Sequence, residues 1–285
     1  MGGNKEIAMY ENKQENAIHR NMVLDQAYHE ADGVLSHEII EPRQFSHLYK
    51  ADMIKADNEY VDRRNAEIEE NSDPEQERIK KIATAFEAIL YQESELSAWL
   101  GENVVTINAS EFDKFKNGVD TIAEFHEETG TSHLAMGIDV TFSTDLENKF
   151  NRIKKSIDDG ELTEIRYFYS KDTGFMGQLN MVPEVIIGAE FKTIEELIDL
   201  WLERGNKKAL GEHQIQFQIL EQILIQLKAF EEYASSIGKF EIAARYGKAI
   251  KLVEKIYYDK QGSLVDNGTR DSVFYAIKEN LKKFS

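Results

Sequence analysis

Two aspartates, Asp120 and Asp139, have the types and spacing that could support chemistry. Each lies on a predicted strand, over residues 118–125 and 133–143, and a loop containing Gly130 separates the two strands. An antiparallel hairpin would bring the carboxylates onto neighbouring strands, where they would repel by roughly 4 kcal/mol at about 4 Å and an effective dielectric constant near 20. A divalent cation would relieve this repulsion, and carboxylate oxygens favour Mg²⁺ or Mn²⁺.

The strand that carries Asp139 has one bulky face and one small or polar face. Asp139 lies between Gly137 and Thr141 on the second face, so the neighbouring side chains leave room for another group. The alternative interpretation is that each aspartate only ends its strand near solvent or caps a loop. The bulky face consists of Leu134, Met136, Ile138, Val140 and Phe142.

Composition excludes several other kinds of chemistry. The 285 residues include no cysteine, which excludes thiolate catalysis, Cys-ligated zinc and disulfides. No two of the seven histidines have the i, i+4 spacing of a helical zinc site, and no Walker loop, dinucleotide-binding loop or nucleophile elbow is present. Carboxylates therefore remain the best candidates for a site.

The net charge of −18 limits the partners that the protein can bind. Such a surface disfavours indiscriminate binding to nucleic acid or to an anionic membrane, so any nucleic-acid contact needs a local basic patch. Residues 1–78 contain 9 basic and 18 acidic residues, which is half of the net charge. We also expect a soluble, cytoplasmic protein, because no secretion or lipidation signal is recognised and the apolar runs are too short to span a membrane.

Periodicity predicts a mixed α/β core with helices on either side. Thr144 and Glu147 suggest a capping box at the start of the helix after residue 143, and Gly160 ends that helix. The predicted elements are a helix over 75–98, strands over 104–108, 118–125, 133–143, 164–169 and 183–189, a helix from 144 to 160, a loop over 170–180, and helices from residue 193 onward.

Three regions follow from this pattern. Residues 1–75 are predicted to form an acidic, partly helical arm, residues 76–205 the α/β core, and residues 206–285 a helical C-terminal region. The apolar stripes of the C-terminal helices are either packing residues or a surface for a protein partner or for self-association.

The order of these elements resembles the core of the PD-(D/E)XK nuclease superfamily. The second motif of that family is matched by Asp120 in the segment Asn-Gly-Val-Asp, and the third motif, acidic-x-Lys, is matched by Asp139-Val-Thr141. Thr141 stands where the family has its catalytic lysine. Family members can relocate this lysine to the following helix, which here offers Lys149 and Lys154 beside the apolar stripe.

The resemblance implies a fold, a set of ligands and an activity. Asp120 and Asp139 would hold Mg²⁺ or Mn²⁺, completed by a glutamate of the first core helix, and Lys149 or Lys154 would assist a metal-bound water. Arg152 and Lys155 would contact phosphate, although such residues are also typical of a basic outer helix face. The two candidate glutamates are Glu87, at the border of the apolar stripe, and Glu93, within it.

Three functional hypotheses remain at this point. The first is metal-dependent hydrolysis of phosphodiesters in nucleic acid. The second is a catalytically inactive protein of the same fold that serves as an acidic interaction or assembly module. The third, a helical adaptor with an unrelated sheet, requires that the strands carrying Asp120 and Asp139 are not adjacent.

Overall fold

The computed structural model describes residues 3–36, 39–126, 133–203, 205 and 207–285, and it has a mixed α/β fold. The helices are α1 (Gly3–Ser36), α2 (Ala51–Glu70), α3 (Pro74–Leu96), α4 (Glu111–Asn117), α5 (Glu147–Asp159), α6 (Phe191–Leu202), α7 (Lys207–Gly211), α8 (Ile215–Ser236), α9 (Phe240–Ser263) and α10 (Ser272–Asn280), with short 3₁₀ helices at Pro42–Phe45 and Leu281–Phe284. The strands are β1 (Val104–Asn108), β2 (Thr121–His126), β3 (His133–Thr141), β4 (Thr163–Tyr169), β5 (Met176–Val182) and β6 (Glu184–Gly188).

Within these residues, one sheet has four strands in the order β1-β2-β3-β6. β2 pairs antiparallel with both β1 and β3, and β6 pairs parallel with β3 after a crossover that contains α5. The predicted hairpin of β2 and β3 is therefore confirmed, with Ile122 opposite Gly137. This adjacency removes the adaptor hypothesis, which required the two strands to lie apart.

The structure differs from the sequence prediction at residues 170–180 and 111–117. The predicted loop over 170–180 is wrong in its second half, because residues from Met176 onward form β5, which pairs antiparallel with β4 in a separate sheet. Polar residues and Gly177 interrupt the apolar pattern of β5, and the pairing is irregular. Helix α4 was not predicted, since seven residues are too few for a helical period to appear.

The start of α5 also differs from the prediction. The capping box of Thr144 and Glu147 does not form, because the helix begins after Leu146 and no side chain caps it. The preceding loop uses Thr141 and Ser143 instead, whose hydroxyl oxygens accept hydrogen bonds from the amides two residues further on. The predicted end at Gly160 is confirmed, with a left-handed φ of +83°.

The N-terminal segment, predicted as an acidic, partly helical arm, contains the helices α1 and α2 and packs on the core. Helix α1 packs along α3, and Ala27 and Ala31 on α1 are completely buried. Phe45 is also buried, with its ring 5.2 Å from the ring of Tyr167 on β4 in an edge-to-face contact. Small and aromatic residues thus fix this segment on the core, even though its composition is acidic.

Helix α8 covers the outer edge of β6 with glutamine side chains. Gln226 exchanges two hydrogen bonds with the backbone of Ile186, at 2.9 and 2.6 Å, and Gln222 does the same with Gly188, at 2.9 and 2.8 Å. Four residues of helix rise about 6.0 Å and two residues of strand about 6.6 Å, so the two spacings match. The glutamines therefore satisfy backbone groups that a partner strand would otherwise pair with.

Candidate functional site

Asp120 and Asp139 lie side by side at the junction of β2 and β3. The Asp120 amide donates to the carbonyl of Ile138 at 2.9 Å, and the Asp120 carboxylate accepts from the amide of Val140 at 2.7 Å. Burial raises the pKa of Asp120 well above its usual range, and the negative charges of Glu87 and then Asp139 raise it further. The two aspartates of the sequence prediction therefore interact electrostatically.

Helix α5 places two basic side chains on Asp139. Lys149 Nζ is in hydrogen-bond contact with Asp139 Oδ1, and Arg152 Nη2 lies 3.0 Å from Asp139 Oδ2. Residues three apart share a helix face, while Phe150 and Ile153 on the adjoining face of α5 are buried in the core. The side chain of Asp139 is only 5% exposed, whereas Lys149 and Arg152 are 30% and 38% exposed. The basic groups thus lie between the buried carboxylate and solvent.

Glu184 is a site residue that the sequence reasoning missed. It opens β6 opposite Gly137 of β3 and is 4% exposed, and Arg152 Nη2 makes an ion pair with its Oε1. Its Oε2 accepts a hydrogen bond from Thr163 Oγ1 at 2.6 Å. Burial raises the pKa of Glu184, and Arg152 opposes this shift. A glutamate at the start of the apolar run of residues 185–187 was the available signal.

Glu87 and Lys114 form a second ion pair near Asp120. Lys114 Nζ on α4 lies 3.0 Å from Glu87 Oε2 on α3, and both side chains are less than a fifth exposed. The negative charge of Glu87 raises the pKa of Asp120, and the positive charge of Lys114 lowers it. Of the two candidate glutamates, Glu87 is therefore the one that acts on Asp120. Lys114 went unnoticed because α4 itself was not predicted.

The other candidate residues have different surroundings. Glu93 is buried and accepts from Ser97 Oγ at 2.5 Å, and burial raises its pKa. Lys154 contacts the Tyr233 hydroxyl and lies 3.2 Å from Asp158, and Lys155 is exposed. Thr141 is buried opposite Gly188 of β6. Glu93 and Lys154 thus make these contacts with groups other than Asp139.

The donor chemistry of the aspartate pair suits a hard divalent cation. Across the described residues, no three His, Asp or Glu side chains lie close enough together to hold a metal ion. Mg²⁺ nevertheless commonly uses one or two protein carboxylates and completes its shell with water and substrate oxygens. Burial, and after it the negative charges of Glu87 and Asp139, raises the pKa of Asp120. A cation beside Asp120 and Asp139 would offset part of this negative charge.

Comparisons with known proteins give no independent identification. No protein-family model matches the chain, and neither curated proteins nor solved structures match it. No helix in the described part of the chain is long and apolar enough to cross a membrane. The site geometry therefore carries the functional argument.

Proposed function

We propose that the protein is a metal-dependent phosphodiesterase of nucleic acid with a PD-(D/E)XK-like core. One observation carries the proposal: Lys149 of α5 contacts Asp139 on β3, and Asp139 lies beside Asp120 at the start of β2. Two carboxylates and one lysine are thereby gathered at one point of the sheet. These are the groups that the family resemblance assigns to catalysis.

The order of the elements supports this proposal. Helix α3, the strands β1, β2 and β3, helix α5 and strand β6 occur in this order along the chain, and β6 is parallel to β3. Helix α4 lies between β1 and β2, and strands β4 and β5 lie between α5 and β6. A simple geometric reason favours a lysine at position 149 over one at position 141. A side chain at Thr141 is buried against β6, whereas one at Lys149 reaches Asp139 from the solvent side.

Each residue has a distinct part in the proposed reaction. Asp120 and Asp139 would hold a divalent cation, which supplies an activated water and stabilises charge on the phosphate. Lys149, held at Asp139, is placed to move a proton or to orient the attacking water. Lys149 and Arg152 supply local positive charge for a phosphate in an otherwise acidic chain. In the overall reaction, water adds to phosphorus, a P–O ester bond breaks, and the leaving oxygen takes a proton.

The test is incubation of labelled single-stranded and double-stranded DNA and RNA with the protein and Mg²⁺ or Mn²⁺. Asp139→Ala is expected to abolish cleavage, and Asp145→Ala, which removes an exposed aspartate from the loop after β3, is expected to retain it. Identical products from the wild type and Asp139→Ala would overturn the proposal, because a contaminating nuclease would then explain them.

A second candidate function is an inactive protein of this fold that acts as an assembly module. Two observations favour it: both oxygens of Asp139 already have cationic partners, and Thr141 is buried where the family has its lysine. Exposed aromatic side chains on the C-terminal helices, Phe240, Tyr258 and Tyr275, provide a surface for a partner. Cleavage that depends on Asp139 would exclude this candidate. Lack of cleavage together with self-association that Phe240→Ser abolishes would support it.

A further inference from the structure

An open cleft of about 790 Å³ lies between helix α9 and the loop that follows α3. Of the described residues that line it, none belongs to the proposed cleavage site. The loop approaches α9 closely at Gly101, which has a φ of +110° and where a Cβ would lie 2.8 Å from Ile256 Cγ1. The cleft has room for a small molecule with an apolar body. The apolar part of its wall consists of Val104, Phe125, Leu252, Ile256 and Leu264.

Lys260 lines the cleft, and its amine is held by a neutral partner. Lys260 Nζ donates to Gln216 Oε1 at 2.6 Å, and Gln216 is completely buried. The amide nitrogen of Gln216 donates to the backbone carbonyls of Gly211 and His213 at 3.2 and 3.0 Å, so its oxygen is the end that faces the amine. In the described part of the chain, Lys260 makes no ion pair with a carboxylate.

The surroundings of Lys260 keep part of its amine unprotonated. Burial lowers the pKa of Lys260 to about 8, and the negative charge of Glu102 opposes this shift. Lys114 shows the contrast: burial lowers its pKa as well, but the negative charges of Glu87 and Asp120 outweigh burial and raise it. At pH 7.5, a pKa of about 8 leaves about a quarter of the amine neutral, against about one part in a thousand for an ordinary lysine.

We propose that Lys260 binds a small uncharged aldehyde covalently in this cleft, as an imine. The amine nitrogen adds to the carbonyl carbon, and a proton passes from nitrogen to the carbonyl oxygen. That oxygen then leaves as water with the second N–H proton, so a C=N bond forms and nothing is oxidised or reduced. Gln216 accepts one N–H of the neutral amine, which leaves the nitrogen lone pair for the carbonyl carbon. The site is independent of the proposed function.

The walls of the cleft determine which aldehyde fits. The apolar residues suit an apolar body. Acidic side chains outnumber lysines along the cleft, which disfavours an anionic ligand. Benzaldehyde is therefore a suitable probe, and para-carboxybenzaldehyde, which has the same ring with a negative charge, is its anionic counterpart. The charged and titratable side chains of the lining are Glu102, Glu212, Asp259, Lys255 and Lys260, together with His126.

The experiment treats the full chain at pH 7.5 with benzaldehyde and sodium cyanoborohydride, which reduces an imine to a stable amine. Peptide mass spectrometry then gives the labelling rate of each lysine. Lys260 is expected to be labelled at least about tenfold faster than Lys251, an exposed lysine of the same helix, because more of its amine is neutral. The rate at Lys260 is expected to saturate with benzaldehyde concentration, since the aldehyde binds in the cleft before it reacts.

Gln216→Glu tests the neutral partner directly. A carboxylate at this position would keep Lys260 protonated, so its labelling is expected to fall at least about tenfold while that of Lys251 is unchanged. Gln76→Glu adds the same charge at an exposed position of α3 and is expected to label like the wild type. Circular dichroism verifies that each variant is folded. If Gln216→Glu does not fold, the saturation and the preference for Lys260 over Lys251 in the wild type decide.

Equal labelling of Lys260 and Lys251 in the wild type would overturn the proposal. So would a rate at Lys260 that rises linearly with benzaldehyde, or a folded Gln216→Glu that labels Lys260 as fast as the wild type. A preference for Lys260 that is undiminished with para-carboxybenzaldehyde would overturn the restriction to uncharged aldehydes. Asp139→Ala is expected to label Lys260 like the wild type, so the result does not depend on whether the protein cleaves nucleic acid.

Discussion

Lys149 Nζ on α5 contacts Asp139 Oδ1 on β3, so a residue ten positions later in the chain provides a cation to a strand carboxylate. The contact exists because α5 packs back over the sheet through its buried face, which includes Phe150 and Ile153. Lys154 on the same helix turns instead to Asp158 and Tyr233. Between the two lysines offered by the sequence, Lys149 is the one that contacts Asp139, and it is the lysine that the proposed function uses.

Lys149→Met is expected to lower the rate of phosphodiester cleavage by about 10²-fold to 10⁴-fold, which is the usual contribution of a positioned acid or base. Methionine keeps most of the aliphatic chain and removes the charge. The measurement is single-turnover cleavage with saturating Mg²⁺, together with a pH profile of the rate. Loss of the lysine is expected to change the shape of that profile, which a purely structural defect would not do.

The control for this variant is Lys251→Met, which removes an exposed lysine of α9 from the acidic surface. It changes the net charge by the same amount and is expected to leave cleavage unchanged. Equal losses in both variants would show that general electrostatic attraction explains the effect, and Lys149 would then have no special part.

The pKa of Asp120 makes the stability of the protein depend on pH. Its raised pKa means that the folded state binds this proton more tightly than the unfolded chain does. Stability therefore falls as pH rises from the ordinary aspartate value of about 3.9 through the raised pKa. Asp120→Asn, whose amide oxygen can still accept from Val140, is expected to be more stable than the wild type at pH 7.5 and to lose this advantage near pH 4.

The measurement is urea unfolding of both proteins between pH 4 and pH 8 in the presence of a chelator. Asp145→Asn, a change at an exposed aspartate, provides the comparison and is expected to show no comparable pH-dependent gain. A stability difference between Asp120→Asn and the wild type that is constant with pH would contradict the assigned titration.

Long periodic segments made much of the core predictable from sequence. Helix α3, strands β1 and β3, most of β2 and the end of α5 at Gly160 agree with their patterns of apolar residues and glycine. The start of the strand predicted over 118–125 is wrong, because Gly118 caps α4 and β2 begins at Thr121. The pairing of β2 with β3 followed from a short connection between two strands, and it brought Asp120 to Asp139 as expected. These features depend on local periodicity and on chain connectivity.

The missed parts depend on contacts between distant segments. Arg152 appeared to be a surface residue for phosphate, yet it is shared between Asp139 and Glu184, and Glu184 reaches the site only through the parallel pairing of β6 with β3. Lys114 lies on a seven-residue helix that has no periodic signal. Such relationships appear only once the strands are paired in space.

Asp57 on α2 attaches the N-terminal segment to β4. Its carboxylate accepts from Arg166 at 2.9 and 3.1 Å and from the hydroxyl of Tyr167 at 2.6 Å, and the residue is buried. Removal of one member of a buried ion pair typically costs about 3–5 kcal/mol. Asp57→Ala is therefore expected to destabilise the protein by about that amount or less, because Arg166 is 27% exposed.

Amide hydrogen exchange provides the measurement for Asp57→Ala. Faster exchange is expected along α2, whereas the four-stranded sheet is expected to retain most of its protection. Asp62→Ala is the control, since Asp62 is an exposed aspartate of the same helix. Unchanged exchange along α2 in Asp57→Ala would show that the aromatic contacts of Phe45 hold the segment alone.

The glutamines of α8 are expected to stabilise the protein by pairing with the outer edge of β6. Gln226→Leu is nearly isosteric, but it leaves the amide and the carbonyl of Ile186 without the hydrogen bonds that Gln226 makes. Each buried backbone group that loses its partner costs about 1–3 kcal/mol, so two such groups cost about 2–6 kcal/mol, and the apolar side chain offsets part of this loss. Urea unfolding measures this loss.

Gln226→Leu is also expected to aggregate through the exposed edge of β6. Backbone groups of β6 released from Gln226 can pair with a strand of another molecule, so the variant is expected to aggregate at a lower temperature than its unfolding free energy alone would predict. Gln76→Leu makes the same substitution at an exposed position of α3 and is expected to change neither property appreciably. Static light scattering during heating follows aggregation. If Gln226→Leu matches Gln76→Leu in both stability and aggregation temperature, the glutamine contacts do not protect the edge of β6.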